Sequence, residues 1–211
     1  IEFDNTEINT TLNTELSGIN NYTASVQLFV ANAQNLGEDS TIHVHPLAED
    51  WVEGIGHYGD APYNSIGVSW KFREGYTAWD TNTYDSLHPG GDKVGGGTWI
   101  NTVTTNYPDP GEYNAIASTQ IISSSYYPVI KGTVDIKANV TQFIRSVHHG
   151  EINNHGLLFK MGIDEFSTGS LSYMQCFSSS TNTIYYPFLQ FEWNDFAYAT
   201  SLNLLTAGTP F

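Results

Sequence analysis

The sequence predicts an all-β fold, a jelly-roll-like antiparallel β-sandwich with one or two short helices and long loops rich in Gly, Pro and Asp. The first observation is composition: 19 Gly, 13 Tyr and only 14% charged residues suit short strands joined by polar turns. The second is a series of short segments in which apolar residues alternate. Long helices would need more Ala, Leu, Glu and Lys. We expect one domain over residues 1–211, with its core module at about 22–195.

The strands are predicted in order from this alternation and from the turn residues between them. We expect strands at residues 22–31, 40–47, 67–74, 99–105, 114–122, 133–136, 156–161, 171–177 and 188–193. Residues 48–66 and 78–98 are rich in Gly and Asp and are predicted to be crossing loops.

Two helices are expected between the strands. The clearer pattern follows residue 136, where four apolar residues recur at three- and four-residue spacing: Val140, Phe143, Ile144 and Val147. Gly150 comes shortly afterwards and predicts a left-handed C-terminal cap. A second short helix is expected within residues 5–21, where apolar residues lie four apart.

The charge balance excludes some partners. The formal net charge is −15, from 22 acidic and 7 basic residues, and no basic stripe exists to neutralise phosphates. We therefore expect no direct contact with nucleic acid. No apolar run approaches the length needed to span a membrane, so no membrane partner is predicted.

The acidic loops raise calcium as an alternative, and no other cofactor is predicted. Glu38, Asp39 and Asp50 lie in or beside loops, and carboxylate oxygens are calcium ligands. No Asp-x-Asp-x-Asp-Gly loop accompanies them, so a solvated acidic surface is the favoured interpretation.

Histidines raise the alternative of zinc. Their positions are His43 and His45, on one face of a strand, and His148, His149 and His155. No Cys pair or His-Glu-x-x-His motif supports such a site, so structural histidines are favoured. The single cysteine, Cys176, lies in a strand-like run and is expected to be a buried structural thiol.

Catalysis is not predicted. Glu49, Asp50 and Glu53 flank Trp51 and could form a pair of glycosidase carboxylates. Acidic pairs are common in so acidic a chain, however, and hydrogen-bonded loop carboxylates explain them as well. The sequence also lacks a Gly-x-Ser-x-Gly elbow and a phosphate-binding Gly loop.

The aromatic residues supply the candidate binding surface. Trp70 and Trp193 lie in predicted strands, where we expect them to pack inside. The candidates for contact with a protein or a carbohydrate border loops: Trp51, Trp79, Trp99 and Tyr58.

Several segments, in order along residues 26–195, carry a family resemblance. They read PLAEDWVEGIGHY, GVSWKFREG, GGGTW, VDIKANVTQFIRS, NNHGLLFK and STNTIYYPFLQFEWND. The chain resembles virion structural proteins of tailed bacteriophages, of the marine contractile-tail type, that carry a β-sandwich module similar to DNRLRE (disaggregatase-related). In such modules a Trp-x-Glu turn, here Trp51-Val52-Glu53, precedes a helix and an Asn-x-Gly strand, here Asn154-His155-Gly156. The helix departs from the pattern, because Phe143 and Val147 stand where a Trp is often found.

The resemblance implies a non-enzymatic structural protein of the phage particle, acting through protein–protein contacts in a capsid, neck or tail. Its expected partners are other virion proteins and further copies of itself in a symmetric assembly. The resemblance also implies that the chain is an excerpt of a longer polypeptide. Carbohydrate-binding modules share the sandwich, so the alternative is a carbohydrate-binding module on a phage fibre or a secreted polysaccharide-active protein.

Overall fold

The computed structural model describes ten stretches of the chain, and the account below is confined to them. They are residues 1–17, 21–34, 42–55, 66–69, 72–79, 102–105, 118–121, 124–126, 135–161 and 173–194. These residues form mostly β-strands in small antiparallel sheets, together with two short α-helices. This β-rich content agrees with the predicted all-β class. Among the described residues, no helix is long and apolar enough to cross a membrane.

The helices are α1 (Asn5–Thr10), which continues into a π-turn at Thr11–Glu15, and α2 (Thr141–His148). The strands are β1 (Tyr22–Leu28), β2 (Val30–Gln34), β3 (Ile42–Pro46), β4 (Phe72–Glu74), β5 (Thr77–Ala78), β6 (Thr102–Thr105), β7 (Ser118–Ile121), β8 (Ser124–Tyr126), β9 (Ile136–Asn139), β10 (Leu157–Met161), β11 (Tyr173–Cys176) and β12 (Phe188–Trp193).

Most predicted elements that fall in the described residues are confirmed, with three differences of position and two strands, β5 and β8, that were not predicted. The strand expected at 22–31 is interrupted at Phe29 and continues to Gln34 as β2. Of the strand expected at 67–74, residues 67–69 are described and are not a strand, whereas Phe72–Glu74 is one. The strand expected at 133–136 lies at Ile136–Asn139, so α2 begins at Thr141.

The strands form five small sheets within the described residues. Their orders are β12-β1-β9, β10-β3-β8, β11-β2, β4-β5 and β6-β7. Every pairing is antiparallel. Side chains from strands of the first two sheets belong to one buried hydrophobic cluster.

The core lies where β1, β3, β9 and β10 meet the two helices. Ala24 and Val26 of β1 are fully buried, and Phe143 and Ile144 of α2 are 2% and 0% exposed. Side chains from α1, α2 and these strands form one continuous cluster. Burying a side chain the size of Phe143 stabilises the fold by roughly 2–3 kcal/mol.

Local hydrogen bonds explain why α2 begins and ends where it does. The Asn139 Oδ1 atom accepts from the Thr141 N–H at 3.0 Å, which satisfies one donor of the first turn. The Thr141 hydroxyl in turn accepts from the Ala24 N–H at 2.9 Å and fastens α2 to β1. Gly150 has φ +71° and its N–H bonds to the Val147 carbonyl, which confirms the predicted cap.

Candidate functional site

The most distinctive surface is a loop inserted into a long antiparallel pairing. Residues 22–27 pair with β12, and residues 30–34 pair with β11. In this register Cys176 lies opposite Val30, and Phe188 lies opposite Gln27. Residues 177–187 therefore leave the ladder opposite Leu28 and Phe29. We call residues 177–187 the aromatic loop.

Ring contacts fix the base of the aromatic loop. The Tyr185 ring centroid lies 5.3 Å from that of Phe29 and 5.5 Å from that of Phe177. Phe29 also contacts Phe188, at 5.9 Å. The Phe177 N–H donates to the Phe29 carbonyl at 3.0 Å. These separations fall within the favourable range for aromatic pairs, so the loop leaves the ladder from a packed base.

A short turn precedes the tip of the aromatic loop. The Thr181 N–H and hydroxyl both donate to the Ser178 carbonyl, at 3.2 and 2.5 Å. The Tyr185 N–H donates to the Thr183 hydroxyl at 3.2 Å. These hydrogen bonds satisfy backbone groups of the loop that have no strand partner there. The turn presents three consecutive bulky side chains to solvent, since Ile184, Tyr185 and Tyr186 are 80%, 46% and 54% exposed.

Further aromatic side chains lie along the same edge. Tyr173 of β11 is exposed, and its hydroxyl accepts from the Asn32 side chain at 3.2 Å. Trp193 ends β12 and is 46% exposed, so the expectation that it packs inside was wrong. Phe191 takes the inner place instead, because its ring lies 5.9 Å from the buried Tyr22 ring.

Cys176 lies at the junction of β11 and the aromatic loop. Its side chain is half-buried, and burial, together with the nearby Asp135 carboxylate, raises the pKa of the thiol. A raised pKa keeps the group as the less nucleophilic thiol, in line with a structural role.

The second region of interest surrounds Trp51. We call residues 51–55, 66–69 and 72–79 the Trp51 corner. The Trp51 Nε1–H donates to the His155 carbonyl at 2.9 Å. Backbone bonds join the segments, from the Val52 N–H to the Arg73 carbonyl and from the Val68 N–H to the Val52 carbonyl. The Trp51 indole thus links this corner to His155, just before β10.

Two glycines allow the segments of the Trp51 corner to touch. A Cβ atom on Gly54 would lie 2.1 Å from the Ile66 carbonyl oxygen. A Cβ atom on Gly67 would lie 2.6 Å from the Glu53 carbonyl oxygen. Both residues also have positive φ, +81° and +120°, so the crossing depends on glycine at each position.

The predicted binding aromatics are distributed unevenly. Trp51 is half-buried at its corner. Trp79 is only 8% exposed, and its Nε1–H donates to the Ser69 carbonyl at 3.0 Å, so it presents little surface to a ligand. Trp99 and Tyr58 lie outside the residues that the structure describes, as does Trp70.

The described calcium and zinc candidates lie in different parts of the fold. Asp50 is exposed, and its carboxylate lies 2.5 Å from the His155 Nδ1 atom. Glu38 and Asp39 lie outside the described residues. Within the part of the chain that the structure describes, no three His, Cys, Asp or Glu side chains gather as a metal-binding group.

The histidine pairs occupy two different places. His43 and His45 lie on one face of β3, with nearly parallel rings 6.2 Å apart. Burial, and to a lesser extent Lys160, lowers the pKa of His43. The His148 Nδ1 atom lies 3.1 Å from the Asn9 side-chain oxygen, at the end of α2. The structure therefore gives each pair its own local contacts.

Comparisons of the chain with protein-family models, curated proteins and solved structures gave no match. The resemblance to phage virion proteins and to the DNRLRE module thus stays a prediction.

Sequence reasoning missed the aromatic loop as a candidate site. A signal was present: the run Ile184-Tyr185-Tyr186-Pro187 follows a Ser, Thr and Asn stretch that favours turns. Ile184, Tyr185 and Tyr186 are three consecutive bulky residues, so this run breaks the apolar and polar alternation expected of a strand. That interruption distinguishes exposed aromatics from strand aromatics.

Proposed function

We propose that this protein is a non-enzymatic structural protein that assembles through protein–protein contacts made by the aromatic loop and the adjacent sheet edge. The exposure of Ile184, Tyr185 and Tyr186 above a packed aromatic base is the observation that carries the proposal. The resemblance of the quoted segments supports a place in a phage capsid, neck or tail. It also supports a jelly-roll-like sandwich as the finer architecture.

The tip of the aromatic loop has the chemistry of a protein contact. Tyr is enriched at interfaces because it buries a large area with few rotatable bonds and retains a polar end. Contiguous exposed apolar side chains mark interaction sites, whereas single ones do not. Ile184, Tyr185 and Tyr186 are contiguous, and the rings of Phe29 and Phe177 hold Tyr185 in place. The tip is thus partly preorganised for binding.

The sheet edge extends this surface. The two ladders along residues 22–34, interrupted at Phe29, together span about 40 Å at roughly 3.3 Å per residue. Among the described residues, no strand pairs with the outer side of β11 or β12. A strand edge carries rows of backbone donors and acceptors that another chain can complete. Edge and loop together provide hydrogen bonding beside apolar contact.

The assembly proposed here contains further copies of this chain. At a net charge of −15, copies repel one another at long range. Added salt screens that repulsion, so we expect self-association to strengthen between about 20 mM and 300 mM salt. An interface made mainly of ion pairs would weaken over the same range.

The test is sedimentation velocity of the full chain with paired variants. Ile184→Ser and Tyr186→Ser remove the exposed tip and should weaken self-association by on the order of a hundredfold, as central interface residues do. Ile55→Ser and Tyr76→Ser are matched controls, because Ile55 and Tyr76 are 72% and 83% exposed in the Trp51 corner. The controls should associate like the unmodified protein.

Two results would overturn the proposal. One is a monomer at every protein concentration and salt level. The other is equal loss of association in the tip variants and the controls, which would indicate general surface stickiness. The proposed place in a phage particle has a separate test. Mass spectrometry of purified particles must detect the protein.

The alternative function is carbohydrate binding by loop tryptophans. Sugar rings stack on exposed aromatic faces, and Trp51 and Trp79 were the described candidates. Both indole N–H groups bond to backbone carbonyls, and Trp79 is covered. Loss of glycan-array binding in Trp51→Ala, with retention in Tyr186→Ala, is the result that would favour this alternative over assembly.

A further inference from the structure

A polar groove lies at the end of β1 far from the aromatic loop. It is open to solvent and has a volume of about 370 Å³, between the start of β1 and the first turns of α2. Six of the side chains that line it are Asn21, Tyr22, Thr23, Asn139, Gln142 and Arg145. Tyr22 and Phe29 are seven residues apart on one extended segment, so about 23 Å separates the groove from the aromatic loop.

Arg145 is the charged side chain of this lining, and the fold positions it. Its guanidinium carbon lies 5.3 Å from the centroid of the Tyr22 ring. Its Nη2 donates to the Tyr22 carbonyl at 3.4 Å. Stacking on an aromatic ring orients the planar fork of an Arg side chain. The guanidinium is therefore held at the groove by a buried residue of β1.

The local charge differs in sign from that of the whole chain. Among the described residues, the groove lining contains an Arg and no carboxylate, although the protein has 22 acidic residues and 7 basic ones. Glu192 lies opposite Thr23 in the strand register, and an ion pair with Lys137 offsets its charge. The groove thus favours an anionic group where most of the surface repels one.

The remaining lining groups suit a ligand with many hydroxyls. Asn side chains offer both donors and an acceptor, Thr adds a hydroxyl, and Gln142 offers its amide donors, since its side-chain oxygen is buried. Asn21 and Thr23 are exposed, so their side chains can reach a ligand without disturbing the core. The volume lies at the small end of the range for ligand pockets, as expected for one or two sugar units.

We propose that this groove binds a saccharide that carries a carboxylate. Arg145 pairs with the carboxylate, and Asn21, Thr23 and Gln142 hydrogen-bond to sugar hydroxyls. Arg is suited to this role because its parallel N–H groups match the two oxygens of a carboxylate. The site is separate from the aromatic loop, so it can exist whether or not the assembly proposal holds.

The experiment is a titration of the isotope-labelled full chain, followed by amide NMR signals. The probes are a galacturonic acid dimer, a neutral galactose dimer with the same linkage, and inorganic phosphate. We expect the acidic dimer to shift the signals of residues 21–23 and 142–145 saturably. The neutral dimer should bind on the order of tenfold more weakly, since it lacks the charge-assisted bonds.

Variants separate binding from folding. Arg145→Lys keeps the charge but removes the fork, and it should weaken binding of the acidic dimer on the order of tenfold. Thr23→Ala removes an exposed hydroxyl from the lining and leaves the contact between Arg145 and Tyr22 intact. It therefore tests whether the Thr23 hydroxyl contributes to binding. Arg145→Gln removes the charge as well as the fork. Its matched control is Lys160→Gln, which removes one positive charge in β10 and should bind like the unmodified protein. Thermal unfolding of each variant identifies any that fail to fold.

Three outcomes would overturn the proposal. The acidic dimer leaves the groove signals unmoved, the neutral dimer binds equally well, or phosphate produces the same shifts at the same concentration. The last outcome would indicate a simple anion site. A normal titration with no self-association would support the groove while contradicting the assembly proposal.

Discussion

The aromatic loop and the Trp51 corner both present apolar side chains at the surface, but different interactions hold them there. In the Trp51 corner, the indole N–H groups of Trp51 and Trp79 donate to backbone carbonyls. The backbones of Gly54 and Gly67 also touch. In the aromatic loop, Tyr185 is held by the rings of Phe29 and Phe177.

This difference teaches which aromatic residues serve the fold and which remain for a partner. An indole that donates to a backbone carbonyl links two segments and has its polar atom satisfied. The exposed apolar residues around those indoles come from segments that are distant in sequence and touch in the fold, and most are aliphatic, as Val52 and Val68 are. The exposed residues at the tip of the aromatic loop are instead consecutive, and two of the three are aromatic, Tyr185 and Tyr186. We therefore assign structure to the corner and binding to the loop.

The largest expected effect is on the Trp51 corner, from Gly54→Ala. The new Cβ would meet the Ile66 carbonyl oxygen at 2.1 Å, in a residue with φ +81°. Left-handed strain costs about 1–2 kcal/mol and displacing the backbone adds a similar amount, so we expect a loss of about 3 kcal/mol in the free energy of unfolding. Urea unfolding followed by circular dichroism measures it.

Gly75→Ala is the matched control for that change. Gly75 also has positive φ, +50°, but a Cβ there would meet nothing within 4 Å. We expect a loss of only about 1 kcal/mol from backbone strain. Equal losses in the two variants would show that the close crossing contributes nothing, and the corner would lose its structural assignment.

Much of the fold could be predicted from sequence, because local signals and tertiary packing agree there. The helix at Thr141–His148 has its apolar spacing, its preceding Asn139 and its Gly150 cap within a dozen residues. Strands β9 and β11 likewise alternate in burial. The break at Phe29 could not be predicted, since its partners are distant in sequence: the aromatic loop some 150 residues later, and Asp135, whose carboxylate accepts from the Val30 N–H at 3.1 Å.

The candidate site was less predictable, for a related reason. Trp79 has the sequence context of a loop residue, yet a bond to the Ser69 carbonyl and burial fix it inside. Trp193 has the context of a strand residue, yet it ends an edge strand and is half-exposed. Residue type and local pattern predict strand or loop, whereas exposure depends on which strand lies at the edge.

We expect an intermediate effect on the free energy of unfolding at the base of the aromatic loop. Tyr185→Ala removes ring contacts with Phe29 and Phe177, and we expect a loss of about 2 kcal/mol in the free energy of unfolding. Tyr186→Ala is the control, because Tyr186 is 54% exposed and its removal should cost less than about 0.5 kcal/mol. If both variants unfold alike, the packed base does not hold the loop.

The smallest effect tests the hydrogen-bonded indole of the corner. Trp51→Phe keeps the apolar ring but removes the donor to the His155 carbonyl, so we expect a loss of about 1 kcal/mol in unfolding free energy. Trp193→Phe changes an indole that is 46% exposed at the end of β12 and should be nearly neutral for stability. Urea titration measures both values, and sedimentation should show Trp51→Phe assembling normally. Lost assembly with unchanged stability in Trp51→Phe would reverse the assignment, making the corner a binding surface as well.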